Sequence, residues 1–377
     1  MRARIVTAMG LATMWTCWAC SSSPDATAPP SSDAGTSNAG DGGTVSTDDA
    51  ASPRDSGAGT STDSGTARPT TWGSVGGSDY VGCAVGPSGV SCWREGASTG
   101  DYGAPSLIDG TSGVTHFITE GGYTDFLADG GSQEGAHYVA ADGAGNLVTD
   151  SFTPVTLANI VRLAANDSDE GHACAIDTAG SVSCWGANDE GELGTGDKND
   201  VSGTHTVTLS AKAIDVSAAM HGSCALLQGG EVDCWGDGAS AGSLSPAKID
   251  FGSDTAVALA SNVSGEEVAC AVMQSGKVQC WGDTVSWGMG TQTGPMIHVD
   301  HLQNSVSVTI SGLNFVCGLG NTGDVACLNI GGGVVDPTFP EPLADIQAGY
   351  NSFVARGNSG AVYRWVPGSD PTMVTVP

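Results

Sequence analysis

Positive charge is nearly missing from this chain. Its 377 residues hold 12 Lys and Arg against 41 Asp and Glu, a formal net charge of −29. Binding along a phosphate backbone draws on counterions released by clustered Lys and Arg, so the sequence argues against a nucleic-acid partner. Aromatic residues are also scarce, at 6%. No apolar run of about 20 residues, the length needed to cross a bilayer as a helix, follows the N-terminal region. A metal-binding H-E-x-x-H helix and a lysine-bearing phosphate loop are absent as well, so two common carriers of catalysis are missing. Glycine, in contrast, is abundant at 57 residues, with 16 Pro and 12 Cys. Glycine at that density disfavours a helical bundle and favours many short strands joined by tight turns.

The N-terminus carries an address. Arg2 and Arg4 precede an apolar stretch from Ile5 to Trp18, which ends at Ala19 and Cys20. Charged, apolar and small-residue regions in that order are those of an export signal, and the apolar part is too short to span a bilayer. From Ser21 to about Pro69 the chain is made almost wholly of Ser, Thr, Asp, Ala, Gly and Pro. Such a tract buries too little apolar surface to offset its conformational entropy and reads as a disordered tether. A cysteine at the cleavage point followed by a tether resembles a bacterial lipoprotein. That resemblance implies a diacylglyceryl group on the Cys20 thiol and an exported, outer-membrane or cell-surface protein of a Gram-negative bacterium. Cys17 and Trp18 depart from the usual Leu and small residue, while Ser21, not being Asp, suits sorting to the outer membrane. In the competing reading the signal is an ordinary secretory one and Cys20 is unmodified. The resulting division is a signal peptide at 1–19, a tether at 20–71 and a folded domain at 72–377.

The ten remaining cysteines fall in pairs: Cys83 and Cys92, Cys174 and Cys184, Cys224 and Cys234, Cys270 and Cys280, Cys317 and Cys327. Their surroundings repeat, as in ACAIDTAGSVSCWG from Ala173, SCALLQGGEVDCWG from Ser223 and ACAVMQSGKVQCWG from Ala269. Two further copies lack cysteine. One begins at Phe353, with Val354 and Arg364 at the cysteine positions; the other is placed at Phe126, because that evens the spacing, with Tyr138 to Val148 as the runner-up. The first cysteine positions then run 83, 126, 174, 224, 270, 317 and 354. Intervals of that size belong to stacked supersecondary units.

The geometry of one unit follows from its spacing. Pairing Cys174 with Cys184 across an antiparallel hairpin sets Ala175 opposite Ser183 and Ile176 opposite Val182, leaving the loop Thr178-Ala179-Gly180. A three-residue loop calls for a left-handed residue last, and glycine stands there at Gly180, Gly230, Gly276, Gly323 and Gly360. Directly opposed residues in a non-hydrogen-bonded pair lie within disulfide reach, so each cysteine pair is predicted to be a cross-strand disulfide in an oxidising compartment. A metal site is disfavoured, because the pairs sit in separate repeats without companion histidines. Tryptophan follows the second cysteine at Trp93, Trp185, Trp235 and Trp281, and recurs as Trp365. Alternation puts it on the opposite sheet face from that cysteine, where it is expected to pack between neighbouring units. Gly186, Gly236 and Gly282 are read as points of close approach between sheets.

The pattern C-A-x-x-x-x-G-x-V-x-C-W-G, with Gly191-Glu192-Leu193-Gly194-Thr195-Gly196 downstream, resembles the regulator of chromosome condensation repeat family. The resemblance covers 72–377 and implies an all-β, seven-bladed β-propeller. Strand-sharing closure would need an N-terminal strand near Trp72 to Tyr80 and the C-terminal strands to meet in one blade, and the short interval before Val354 leaves the mode of closure open. An exported, acidic chain does not fit the namesake's nuclear exchange activity, so only fold and a general binding role carry over.

Candidate chemistry is sparse. Ser245-Pro246-Ala247-Lys248 matches S-x-x-K but lacks the helix that arrangement needs. His298 and His301 near Asp300 want a third metal ligand, and His172 and His221 read as repeat scaffolding. The acidic stretches Asn166 to Glu170 and Asn188 to Asp200 offer hard oxygens suited to calcium, but without EF-hand spacing, so no cofactor is expected. The reading is therefore a monomeric, tethered, non-enzymatic module. Its loops bind a protein or glycan, and it meets the membrane only through its lipid. The alternatives are an inhibitor of a secreted enzyme, resembling β-lactamase inhibitory protein and using rim aromatics such as Tyr102, Tyr123 and Trp287, and a hydrolase with convergent carboxylates in the central channel.

Overall fold

The computed structural model describes residues 75–77, 81–94, 104–119, 138–149, 155–166, 171–237, 242–262, 268–282, 297–312, 315–329 and 333–377. Cys20, the tether, Phe126, Tyr102, Tyr123 and Trp287 lie outside them. The described strands form seven antiparallel sheets in chain order, six of four strands and one of three. These blades span 75–107, 114–149, 160–206, 213–248, 256–298, 305–334 and 343–374. The first strands of adjacent blades contact one another, including the first with the last, so they form the inner ring of a seven-bladed β-propeller.

The hairpin register is the one read from the cysteines. Cys174 pairs with Cys184, Ala175 with Ser183 and Ile176 with Val182. Five disulfides join Cys83–Cys92, Cys174–Cys184, Cys224–Cys234, Cys270–Cys280 and Cys317–Cys327, with Cα atoms 4.0–4.1 Å apart. Each closes the second and third strands of its own blade.

The second blade corrects the placement at Phe126. Its hairpin is made by Tyr138–Asp142 and Leu147–Thr149, with Val139 opposite Thr149. VAADGAGNLVT from Val139 thus overlays CAIDTAGSVSC from Cys174, residue for residue. The turn chemistry agrees. Asp177 Oδ1 accepts the N–H groups of Ala179 and Ser181, both at 2.9 Å. Asp142 Oδ1 accepts those of Ala144 and Asn146, both at 2.8 Å. Even spacing was a poor guide because the connection between first and second strands, unlike the hairpin, is free to vary in length.

Seven apolar clusters among the described residues hold the ring, each between the face of one blade that bears the cysteine positions and the opposite face of the next, which carries a tryptophan in five of them. Cys174, Cys184 and Ile176 pack with Val216, Leu227 and Trp235. Cys224 and Cys234 pack with Leu259, Met273 and Trp281, and Cys317 and Cys327 with Phe353 and Trp365. Val139 and Ala141 take the place of a disulfide against Trp185. The five tryptophans are between 0 and 6% exposed. Alternation explains the arrangement: Cys and Trp are adjacent in a strand, so they face opposite sides of the blade.

The last cluster joins Val354, Val362 and Val374 of the seventh blade to Val75, Ala84 and Trp93 of the first. Closure, left open by the sequence, is therefore not by strand sharing among the described residues. Val75–Gly77 pairs with its own blade's second strand, and Thr372–Val374 with its own blade's third. The ring closes by packing two complete blades face to face.

Candidate functional site

The two rims of the ring differ in construction. One rim carries the hairpins between second and third strands, together with the connections from each outer strand to the next blade. There a glycine carbonyl in one blade accepts an N–H from the start of the next blade's first strand. The bonds run from Ile160 to Gly145, Ala213 to Gly180, Ala256 to Gly230, Asn304 to Gly276 and Leu343 to Gly323, at 2.8–2.9 Å. A one-residue register shift near the start of each of these first strands turns the N–H outward to make the bond. Gly180 and Gly230 have φ of +83 and +86°, and a Cβ there would sit 2.7 Å from Lys212 Cβ and 2.5 Å from Thr255 Cβ. Glycine thus serves the left-handed turn and the approach of the next blade at once. This rim is stitched backbone to backbone.

The other rim carries the connections between first and second strands and between third and outer strands, and their lengths vary widely. The third-to-outer connection is 187–204 in the third blade, 237–246 in the fourth, 330–332 in the sixth and 366–371 in the seventh. Within 187–204, Asn188 organises the turn. Its Nδ2 donates to Thr195 Oγ1 and to the carbonyls of Asp197 and Asn199, and its Oδ1 accepts from Leu193 N–H. Leu193 is fully buried against the third and fourth blades. The Glu192 carbonyl accepts from Trp235 Nε1 at 2.6 Å and from Ser223 Oγ at 3.2 Å. Asp237 N–H donates to the Glu190 carbonyl. The third blade's long loop is thereby fixed onto the fourth blade, leaving Asp189, Asp197, Asp200 and Asp237 exposed. Lys198 pairs with Glu190. This part of the rim is negative and is held in place by hydrogen bonds.

Beneath it lies a buried polar group. His172 is fully buried, and its Nε2 shares a hydrogen bond of 2.7 Å with Ser223 Oγ. Burial, aided by neighbouring His221, pushes the imidazole pKa down to about 3. Glu192, also buried, has its carboxyl pKa raised by burial. Asn166 joins the same junction, accepting from His172 N–H and donating to the Met220 carbonyl. Ser223 and His172 bring a serine and an imidazole together, fully buried beneath the loop, where the pair links the third blade to the fourth.

The other candidates separate. Lys248 pairs with Glu231 and lies in the fourth blade's outer strand, so Ser245-x-x-Lys248 is not on a helix. His301 meets Asp336 at 2.8 Å, and the same Asp336 oxygen accepts Cys327 N–H at 2.7 Å, tying the fifth blade to the sixth. Asp197 Oδ1 is engaged by Thr195 and by Asn199 N–H, so part of the loop's hard oxygen set serves the turn itself. Asp167 to Glu170 and the side chains of His298 and Asp300 lie outside the described residues. Among those described, no three His, Cys, Asp or Glu side chains converge as a metal-binding set. The sequence also holds G-x-S-x-G at 96–100 and 238–242, which apart from Gly242 lie outside the described residues. Gly186 and Gly236 also differ from expectation. A Cβ on either would strike its own blade, at Gly171 O and His221 O, both 2.4 Å away, so the close approach is within the hairpin and not between sheets.

These features define a seven-bladed propeller with one interlocked rim and one loop-bearing rim. No protein-family model matches the chain. Among solved structures it is similar to yeast RCC1 (Prp20), crystallised with Kap60, at 16% identity and TM-score 0.53, covering 72% of this chain and 78% of that one. It is also similar to the CRINKLY WD40 ectodomain of the Arabidopsis thaliana receptor kinase ACR4, at 13% identity and TM-score 0.51, covering 81% and 98%. Against a second structure of Saccharomyces cerevisiae Prp20p, described with its binding properties to Gsp1p and histones, identity is 19% and TM-score 0.44, and the match spans 53% of this chain and 56% of that one. At these identities the likeness is one of fold.

Proposed function

We propose that this protein is a surface-tethered, non-enzymatic recognition module whose loop-bearing rim binds a protein or glycan outside the cell. The observation that carries the reading is the division of labour between rims: one is consumed by blade-to-blade hydrogen bonds, while the other holds connections of unequal length on a rigid ring. Variable loops on an interlocked scaffold are the general architecture of a recognition surface. Yeast RCC1, similar in fold, was crystallised bound to another protein, Kap60; here the fold is consistent with protein binding and the partner is its own question. Export supports the reading, since five disulfides suit an oxidising compartment. The N-terminal signal and Cys20 supply the tether. Residues 72–377, immobilised and exposed to outer-membrane and extracellular fractions, should retain a specific partner. Failure to retain one, combined with turnover of a substrate by the same domain, overturns the proposal.

A further inference from the structure

Six of the seven blade junctions are crossed by the chain itself, because each of the first six blades runs on into the first strand of the next. The seventh, between the last blade and the first, is bridged by no peptide bond. No strand is shared across it either, since 343–374 and 75–107 each build their own sheet. What spans it is specific. Arg356 Nη2 donates to the Val85 carbonyl at 2.6 Å, while its Nη1 reaches the Gly360 carbonyl of its own hairpin at 3.3 Å. The half-buried guanidinium has its pKa lowered by burial, and Asp345 beside it acts the other way. Beyond the last strand the chain folds back onto the first blade, where a Cβ on Gly86 would lie 3.2 Å from Val376 Cγ1 and 3.3 Å from the Pro377 carbonyl. On the first blade's side the inner strand is Val75-Gly76-Gly77, with one side chain to contribute. On the other side the positions that carry a disulfide in five blades hold Val354 and Arg364.

We infer that this seam is a latch: the ring opens there, between the first and seventh blades, with Arg356 and the C-terminal strap Val374–Pro377 holding it shut. A joint held, among the described residues, by side-chain packing and the Arg356 hydrogen bond opens at lower free energy than joints through which the backbone continues, five of them with a backbone hydrogen bond from hairpin to next blade as well. Opening uncovers the Trp93 indole and the Val354 and Val362 faces, and leaves the other six junctions intact.

Native-state hydrogen exchange followed by mass spectrometry on the intact, oxidised protein tests this. Amides of 81–94 and 353–365 should exchange about tenfold faster than those of 222–236. Arg356→Ala should accelerate the first two sets by about a further tenfold and leave the third unchanged. Removal of residues 375–377, a milder change, should act in the same direction and at the same places. Slow exchange at the seam equal to that of the fourth blade, or acceleration of all blades alike by both variants, would falsify the latch.

Discussion

His172 titrates against its surroundings. With its folded pKa near 3 against an ordinary 6.5, the imidazole must stay neutral for the third and fourth blades to pack around it. The sign follows from the depression. Its contribution to stability is complete above pH 6.5 and is lost as the pH falls from 6.5 toward 3, at about 1.4 kcal/mol per unit. Glu192 acts in the opposite sense. Its raised carboxyl pKa removes stability as the pH rises through the folded value, so acidification recovers part of the loss. Urea midpoints of the oxidised protein should decline from pH 6.5 downward, and His172→Gln should flatten that decline; parallel slopes for the two proteins would refute the assignment. Glycine gives a second test at this scale. Gly230→Ala meets both a left-handed φ and Thr255 at 2.5 Å, whereas Gly252→Ala, at φ +68°, meets nothing within 4 Å. The second should cost about 1 kcal/mol of backbone strain and the first clearly more. Thermal unfolding of the pair measures the difference, and equal losses would show that the approach of the next blade contributes nothing.

Cysteine spacing made the hairpin legible at the scale of the element, because a disulfide demands opposed Cα atoms and a three-residue loop demands a final left-handed turn. Both constraints are local, and period-two alternation then sent Trp to the face opposite Cys. The second blade was misplaced where the cysteines were missing, although Asp142 and Gly145 stand at the offsets of Asp177 and Gly180 and carry the same turn. Closure was illegible for a different reason: face-to-face packing of Val354 on Trp93 leaves no periodic trace, being a contact between the two ends of the chain. The rim loops were legible only as acidic stretches, since the anchoring of Glu192 by Trp235 and Ser223 spans two repeats. The corrected register makes its own prediction. Val139→Cys with Thr149→Cys should form a sixth disulfide, seen as linked peptides after non-reducing digestion, and should raise stability by about 2 to 3 kcal/mol on the chain-entropy estimate. Two free thiols in a folded protein would show that these residues are not opposed. The junction itself is probed by Trp235→Ala, which empties a fully buried site and should cost about 3 to 5 kcal/mol in chemical denaturation; a loss below about 1 kcal/mol would place the weight of the junction elsewhere.

The whole molecule couples a strongly acidic surface to a rigid ring. Of the acidic residues, 34 lie at 71–377, against 8 basic ones, so the charge belongs to the stretch of chain that holds the propeller more than to the first 70 residues. On the described part of the loop rim, Asp189, Asp200 and Asp237 are exposed, and the loop that carries two of them is fixed to the neighbouring blade, so their field is not diluted by loop motion. A partner recognised there meets negative charge first, and its association should weaken with salt as the Debye length shortens to about 8 Å near physiological ionic strength. Reversing the charges as Asp189→Lys with Asp200→Lys should therefore reduce partner retention severalfold and weaken its salt dependence. Lys277→Glu, on the hairpin rim, should leave retention intact, because that side is occupied with holding blades together. Binding titrations of the three proteins at two salt concentrations distinguish the rims. Equal loss from both substitutions, or loss from the hairpin-rim change alone, would move the recognition surface to the other side of the ring.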